Sequence, residues 1–482
     1  MLPRTRPAPE VEVGDEAGLG LVEVLVAMLV FAIVAVSVAY SLTFTLSNTR
    51  DAKARQIALN LASQEIDEVR AVGNPFKVHS ETTVVTQDGE TYTIQRSVAW
   101  VTSTGSDLSC NVSGGSYRYK QVNVTVGWAN KGPTGIPARS DTLLAPATRI
   151  NAPSTGTILV SVKGADGLPE AGVTPSVSPS PGTGVTIEPT DVEGCSYILG
   201  AAPGSYTVSI SRSGYLDVAQ QASPSVVGVV AVGASTAFQF QYDQAASFPV
   251  RYASNALRLP TQTPAVPAVK IEYPAELTTT YTNSSGTWPF ATTVTEASSA
   301  TAPAGALGTG TAATALHPYA TGYQAFAGTS TATCTVHDPS SWAPDTRVTP
   351  ALIGSRSVFQ STTPGGTAAT LAVPMGLVDV VRPTSTRTYL VAIRQPDQII
   401  PGQPACTGSL TYSFGNILTT TATRVALPFG SWKLYAVTST GTTYNATTVL
   451  TTGVTRRTPG TDPVASGTTQ GLLALDPRGV AP

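Results

Sequence analysis

Histidine and cysteine side chains can bind zinc, and histidine is the commonest acid–base catalyst near neutral pH. The chain has three histidines, His79, His317 and His337. Cys334 and His337 have a spacing that can chelate zinc, but a zinc site needs further ligands and no second pair accompanies them. The sequence also lacks a Gly-rich phosphate loop, a serine-nucleophile elbow and a zincin helix. It therefore predicts no catalytic residues, no metal and no cofactor, and we expect the chain not to be an enzyme.

Glu23 is the only ionisable residue near the start of a long apolar stretch. No charged residue occurs in residues 24–46, and a helix of this length spans a hydrocarbon core of about 30 Å. A carboxylate in an apolar helix is costly and indicates a function with a partner. A secretory signal peptide would have a shorter apolar stretch and a cut after it, whereas here the expected cut lies before it, between Gly18 and Leu19. A plain signal anchor would explain the length but not Glu23.

The segment AGLGLVEVLVAM resembles the type IV prepilin cleavage and methylation motif, in which Gly precedes a hydrophobic residue and Glu is the fifth mature residue. The resemblance implies that a prepilin peptidase cuts after Gly18 and that Leu19 becomes the N-methylated first residue. It also implies that Glu23 neutralises the amino terminus of a neighbouring subunit, since pairing removes most of the cost of burying either charge alone. Leu19 and Gly20 replace the usual Phe and Thr of the family, and neither change removes a required group.

The elements that would position Glu23 follow from the patterns around it. Residues 1–18 are polar and form the predicted leader, and residues 19–46 form the transmembrane and assembly helix. Residues 47–75 continue this helix as an amphipathic extension that ends at a Gly-Asn-Pro stop. The whole helix should run from about Leu21 to Ala71 and measure roughly 75 Å. Its apolar stripe, which would pack on the chain's own head and on neighbouring subunits, consists of Ile57, Leu61, Ala62, Ile66 and Val69.

Two segments of alternating polarity, TYTIQRSVAWV and YRYKQVNVTVGW, follow the helix. Alternation with period two is typical of half-buried antiparallel strands. Residues 76–150 are therefore predicted to form a pilin-like β head with a small antiparallel sheet. The segment INAPSTG then predicts a linker.

Residues 157–242 resemble the collagen-adhesin B-type and carboxypeptidase-regulatory-like β-sandwich family. The resemblance rests on a Gly-x-Pro-x-x-Gly-Val strand start at 167–173, a Thr-Asp-x-x-Gly turn at 190–194 and a Pro-Gly-x-Tyr-x-Val segment at 203–208. Some members of the family contain a Lys–Asn isopeptide bond assisted by a carboxylate. Lys163 lies in the appropriate strand, but the expected carboxylate and Asn are absent, so we interpret it as a surface lysine. Fold alone does not fix a ligand.

The second half of the chain carries weaker patterns. Residues 246–363 are rich in Thr and Ala and predict a β region with loops. Residues 365–455 predict a second β-sandwich, because residues 428–434 resemble residues 203–208 with one residue inserted. Residues 456–482 are predicted to form a tail.

The four cysteines all follow the apolar stretch. An even number in an exported chain allows two disulfides, with three pairings between which sequence does not decide. Cys334 and Cys406 are one plausible pair. The four candidates are Cys110, Cys195, Cys334 and Cys406.

These patterns together predict an α+β chain, with a long N-terminal pilin helix and a small antiparallel sheet followed by mostly-β sandwich domains. The expected function is that of a minor type IV pilin or pseudopilin that assembles through its helix and displays its head, with adhesion at the tip as one role. The alternative is a membrane-anchored surface adhesin that does not assemble. Expected partners are prepilin peptidase, other pilin subunits, the pilus assembly machinery and the cytoplasmic membrane, which a single pass would cross before the subunit reaches the cell surface. Charged residues make up 12% of the chain and the net charge is -2, so no nucleic-acid partner is expected.

Overall fold

The computed structural model describes residues 20–102, 107–114, 117–129, 136–147, 150, 152–256, 270–296, 310–439 and 443–480. The chain forms two compact units, Met1–Ala152 and Pro153–Pro482. The first contains a long N-terminal helix and a small antiparallel sheet, and the second is built from β-sheets. The predicted α+β class with a mostly-β body is therefore confirmed.

The helix of the first unit, α1, is Leu21–Ala71. It ends as the sequence predicts, because Gly73 adopts a φ of +66° and its N–H bonds the carbonyl of Arg70 at 3.2 Å. Glycine enters this left-handed conformation without steric cost. A short 3₁₀ turn, Pro75–Lys77, follows, and the Asn74 side chain accepts the N–H of Phe76 at 3.0 Å.

The sheet of the first unit has the order β1-β2-β4-β5, with β3 paired to β2, and every pairing is antiparallel. Burial alternates along β4, where Val122, Val124 and Val126 are fully buried. These three valines share a core with the C-terminal half of α1. The strands are β1 (Glu81–Gln87), β2 (Glu90–Val101), β3 (Asp107–Leu108), β4 (Tyr119–Trp128) and β5 (Ala138–Leu144).

The second unit begins with a two-sheet sandwich, which we call the small sandwich. One sheet has the order β10-β12-β6-β8 and the other β11-β9-β7, and β6 and β12 are parallel. Ile158, Val208 and Phe238 meet in the core between the sheets. The strands are β6 (Gly156–Lys163), β7 (Pro175–Ser178), β8 (Cys195–Ala201), β9 (Gly204–Ile210), β10 (Tyr215–Asp217), β11 (Ser225–Val230) and β12 (Ser235–Gln244).

In the Thr-Asp-x-x-Gly turn of the small sandwich, the Thr, the Asp and the Gly each stabilise the local structure. The Thr190 hydroxyl accepts the N–H of Val173 at 2.9 Å, and the Asp191 carboxylate accepts the N–H groups of Glu193 and Cys195, each at 2.9 Å. Gly194 has a φ of +70°, and a Cβ there would lie 2.4 Å from a backbone oxygen of β6. The motif therefore ties the turn to neighbouring strands, which explains its residue types without a ligand.

In the rest of the second unit, which we call the large sandwich, the described residues form four sheets. Their orders are β17-β18-β13-β20, β14-β24-β21-β26, β16-β15-β19 and β23-β22-β25-β28-β27. The strands are β13 (Ala246–Tyr252), β14 (Ile271–Glu272), β15 (Leu277–Asn283), β16 (Gly286–Thr292), β17 (Thr295–Glu296), β18 (Gly310–Leu316), β19 (Gln324–Ala327), β20 (Leu371–Val373), β21 (Gly376–Val380), β22 (Tyr389–Arg394), β23 (Thr411–Asn416), β24 (Thr423–Leu427), β25 (Gly430–Val437), β26 (Val454–Arg456), β27 (Gly460–Thr461) and β28 (Leu472–Leu475). Two further 3₁₀ turns are Ser254–Ala256 and Pro339–Ser341.

One hydrophobic core runs through the large sandwich. It includes Phe248, Tyr281, Leu377, Trp432 and Leu475. The segments predicted separately as 246–363, 365–455 and 456–482 therefore all contribute side chains to this core. Strand pairing joins them too, since β13 pairs in parallel with β20, and β28 pairs with β25.

His337 is a buried polar residue of the large sandwich, three residues after Cys334, which forms a disulfide with Cys406. His337 is fully buried, with Nδ1 2.7 Å from the carbonyl oxygen of Phe429 and Nε2 3.1 Å from Nη1 of Arg394. A carbonyl only accepts and a guanidinium only donates, so the proton is on Nδ1 and the ring is neutral. Burial, and then the charge of Arg394, lower the pKa of His337 to about 4.

This histidine makes the stability of the large sandwich pH-dependent. The unfolded chain binds the proton near pH 6.5 and the folded chain only near pH 4. The contribution of the neutral ring to the unfolding free energy is therefore fully present above pH 6.5 and is lost as the pH falls from 6.5 to 4. We expect a loss of roughly 3 kcal/mol in unfolding free energy, measured by urea titration with hydrogen exchange of β25 peptides as the readout. A His337→Gln variant lacks this titration and should lose less stability over the same range. Equal pH slopes for the two proteins would contradict the prediction.

Candidate functional site

The start of α1 presents Glu23 in the first helical turn. The carbonyl of Gly20 accepts the N–H groups of Glu23 and Val24, at 2.9 and 3.2 Å. Glu23 is exposed, and its carboxylate lies at the helix end where the backbone dipole favours negative charge. The predicted cleavage and methylation sites, Gly18 and Leu19, lie outside the described residues and stay predictions.

The N-terminal half of α1 is apolar and uncovered. Every side chain in residues 24–46 is exposed, and Phe31 and Tyr40 each show 74% of their surface. The helix is long and apolar enough to cross a membrane. Exposed apolar surface of this extent marks a site that lipid or another protein covers.

Hydroxyl groups in and just beyond this stretch bond back to the helix. Ser37 donates to the carbonyl of Ile33 at 2.8 Å, and Thr45 donates to Ser41 at 2.8 Å. Thr43 bonds in the same way. Because these hydroxyls are satisfied within the helix, hydrocarbon can surround it without stranding a polar group.

The C-terminal half of α1 packs on the sheet of the first unit. Ala58 and Ala62 are fully buried, and Ala54, Ile66 and Val69 are nearly so. Alanines at four-residue spacing lie on one face of a helix and let its backbone approach the sheet closely. The predicted stripe included Ala62, Ile66 and Val69 but missed Ala54 and Ala58, which the spacing of small residues could have revealed. Ile57 and Leu61 are only partly buried at its border.

Charged side chains fix α1 to the sheet near the start of its packed half. Arg50 pairs with Glu90 at 2.9 Å, and Lys53 pairs with Asp88 at 3.0 Å. Both acids belong to the turn between β1 and β2 or to the strand next to it. The indole N–H of Trp128 also donates to Asp51 at 3.1 Å.

A second ionic contact lies further along α1. Arg96 of β2 pairs with Glu65 of the helix and with Glu81 of β1, and it donates to the carbonyl of His79 at 2.8 Å. The side chains of Arg96 and Glu65 are 16% and 14% exposed, so solvent screens this pair less than a surface pair. Pattern reasoning did not identify these partners, because they are far apart in sequence.

The remaining candidate residues, the four cysteines, His337 and Lys163, lie where they serve the fold or face solvent. Cys334 is bonded to Cys406 and both ring nitrogens of His337 have partners, so the Cys334/His337 pair has no free ligand atom for zinc. None of the four cysteines is a free thiol, and Cys110 and Cys195 are both buried. Lys163 is exposed at the end of β6, as expected for a surface lysine.

Comparison with known proteins finds no matching family model and no matching curated protein. Among solved structures, the Bacillus anthracis TIE protein is 12% identical, with 76% of this chain and 71% of that chain covered and a TM-score of 0.19. A streptococcal ancillary pilin is 9% identical, with 58% and 81% covered and a TM-score of 0.19. The minor pilin of Streptococcus agalactiae is 16% identical, with 34% and 93% covered and a TM-score of 0.15. At these TM-scores the similarities carry no argument about fold or function.

The alanine face of α1 can be tested by enlarging one side chain. In Ala58→Leu the added carbons have no space between helix and sheet, so we expect the unfolding free energy of the first unit to fall by about 1–3 kcal/mol. Urea unfolding of the detergent-solubilised chain measures it. The matched control is Ala52→Leu, the same change at an exposed position of the same helix, which should stay within about 0.5 kcal/mol of wild type. Equal effects at the two positions would contradict the packing described.

Proposed function

We propose that this chain is a minor subunit of a type IV filament, a pilus or a pseudopilus, that assembles through α1. The observation that carries the proposal is the division of one continuous helix into two halves. Residues 24–46 are apolar and uncovered, whereas Ala58, Ala62 and Ile66 are buried against the sheet. Such a helix can lie in the membrane before assembly and among neighbouring helices afterwards, with its head held outside in both states.

Glu23 favours assembly over simple anchoring. An anchor requires only apolar length, and a carboxylate at its start adds a cost. Glu23 is exposed and pairs with no described residue, so its carboxylate is open to a partner from outside the described part of the chain. A cut between Gly18 and Leu19 would create a new amino terminus, and that of a neighbouring subunit would neutralise Glu23 inside a filament. Leu19 would then be the methylated residue.

The size of the head favours a minor subunit. If every subunit carried a head of this size, the heads would crowd one another around the tightly packed helices at the centre of a filament. We therefore place this chain at a tip or at sparse positions. Adhesion is the role we propose for it there. The Thr-Asp-x-x-Gly turn of the small sandwich supports a collagen-adhesin-type fold, because Thr190 and Gly194 stabilise the turn in which they lie. We propose a structural rather than an enzymatic role.

The partners and the location follow from this route. Prepilin peptidase would process the leader at the cytoplasmic membrane, which α1 would cross once. The assembly machinery would then transfer the subunit to a filament of other pilins at the cell surface. A membrane-anchored adhesin that never assembles would share the helix and the head but need neither the cut nor Glu23.

The mature N-terminus separates these functions. We expect mass spectrometry of the protein from its native host to show methylated Leu19 as the first residue, and Gly18→Ala to abolish the cut. Glu23→Ala should be processed normally and yet be missing from sheared filaments, because its partner's charge would then be buried unpaired. Glu68→Ala, which removes an exposed carboxylate of the same helix, is the matched control and should assemble. An uncut chain, or a cut after the apolar stretch, would sink the filament proposal and leave a membrane-anchored or secreted adhesin.

A further inference from the structure

The small and large sandwiches are joined by a very short link. The last strand of the small sandwich ends at Gln244 and the first strand of the large one begins at Ala246. Ala245 is the single residue between them, and its N–H donates to the carbonyl of Gly214 at 2.8 Å. Rotation about the two soft backbone angles of Ala245 can still change how the sandwiches are oriented. Contacts away from the link are therefore needed to fix that orientation.

A second contact, which we call the latch, consists of residues 216–220 of the small sandwich and residues 317–323 of the large one. The Gln220 amide accepts the backbone N–H of His317 and donates to the hydroxyl of Tyr323, each at 2.8 Å. The Tyr319 hydroxyl donates to the carbonyl of Val218 at 2.9 Å. Gln220 has a φ of +66°, a conformation that a residue with a side chain adopts at a cost unless its surroundings hold it there.

His317 lies inside the latch with no exposed surface. Its Nδ1 is 3.0 Å from the carbonyl oxygen of Leu216, which belongs to the other half of the latch. A carbonyl can only accept, so Nδ1 carries the proton in the neutral ring. The remaining nitrogen, Nε2, is buried and has no hydrogen-bond partner among the described residues.

The charged groups that face His317 are already engaged. Asp217 accepts the N–H groups of Ala219 and Gln221, and Asp243 of β12 accepts those of Ala165 and Gln244. Neither makes an ion pair with the ring among the described residues. Burial lowers the pKa of His317, while the hydrogen bond to Leu216 and the two carboxylates act against this in part.

The tyrosines that face His317 from its own segment do not supply a charge. Burial raises the pKa of Tyr319 and of Tyr323, so both are neutral at and below neutral pH. A proton on Nε2 would therefore be a buried charge whose N–H has no acceptor among the described residues.

We propose that His317 makes the latch acid-sensitive: protonation at Nε2 opens the contact, and the small sandwich then moves about Ala245 while both hydrophobic cores stay folded. The proton comes from solvent and no covalent bond changes. This device concerns the second unit alone and does not depend on filament assembly.

Hydrogen exchange of the full chain in detergent tests the latch, with exchange rates corrected for the intrinsic effect of pH. As the pH falls from 7.5 to 4.5, we expect peptides spanning residues 214–222 and 316–323 to lose protection. The loss should reach up to about tenfold per pH unit where the open latch binds a proton on His317 and the closed latch does not. Peptides from β6 report on the core of the small sandwich and should keep their protection. β22 pairs with β25, so its protection also falls as His337 titrates. Protection of β22 is therefore measured in the His337→Asn variant, where it should not change with pH. Latch protection that does not change with pH, or that falls together with β6 or with β22 of the His337→Asn variant, would overturn the proposal.

Two variants assign the effect to one residue. His317→Asn keeps a donor for the Leu216 carbonyl and cannot titrate, so its latch should be pH-independent. His337→Asn alters the other buried histidine of the large sandwich and should leave the latch response unchanged. Exchange of the imidazole C2 hydrogen in the wild type gives the titration midpoint of His317 directly, so a variant that fails to fold does not prevent the test. A midpoint different from that of latch opening, or a pH response that persists in His317→Asn, would refute the assignment.

Discussion

Burial of apolar surface is the constraint on which this molecule depends, because residues 24–46 expose side chains that its own sheets do not cover. Transfer of such surface out of water is favourable by about 25 cal/mol per Å². The chain therefore needs a second environment besides water, in a bilayer or among other apolar helices. The back-bonded hydroxyls of Ser37 and Thr45 make the helix compatible with either environment, and the two environments can exchange without refolding the head.

The packed half of α1 makes the helix and the sheet one mechanical body. Alanine side chains bring the two close together, and the Arg96 and Arg50 ion pairs fix the helix at two places along its axis. Individual ion pairs near a surface contribute little to stability. Here the ion pairs hold the helix in one position along the sheet, because a helix that slid by one turn would lose several of these partners at once. A pull on the exposed half would therefore reach the sheet directly.

The sequence predicted the helix and the architecture well, because both depend on local pattern. Gly73 and Pro75 determine where α1 ends, and the alternation in β2 and β4 specifies which faces are buried. The large sandwich depends on pairings that no local pattern shows, such as Val250 of β13 beside Leu371 of β20. The roles of Gln220 and His317 were hidden for the same reason. Each is an ordinary polar residue until the fold brings it against a segment about a hundred residues away.

The place of β28 in its sheet has a consequence for synthesis. This strand, Leu472–Leu475, lies between β25 and β27, and all four of its residues are buried. A ribosome delivers the chain from its N-terminus, so the sheet of the first unit, whose strands are close in sequence, can form early. The large sandwich cannot close its core until its final strand has emerged, and during that time its edges and apolar faces are open to aggregation. Its core stays incomplete while the chain from β13 to β28 is made, which is nearly half of the chain.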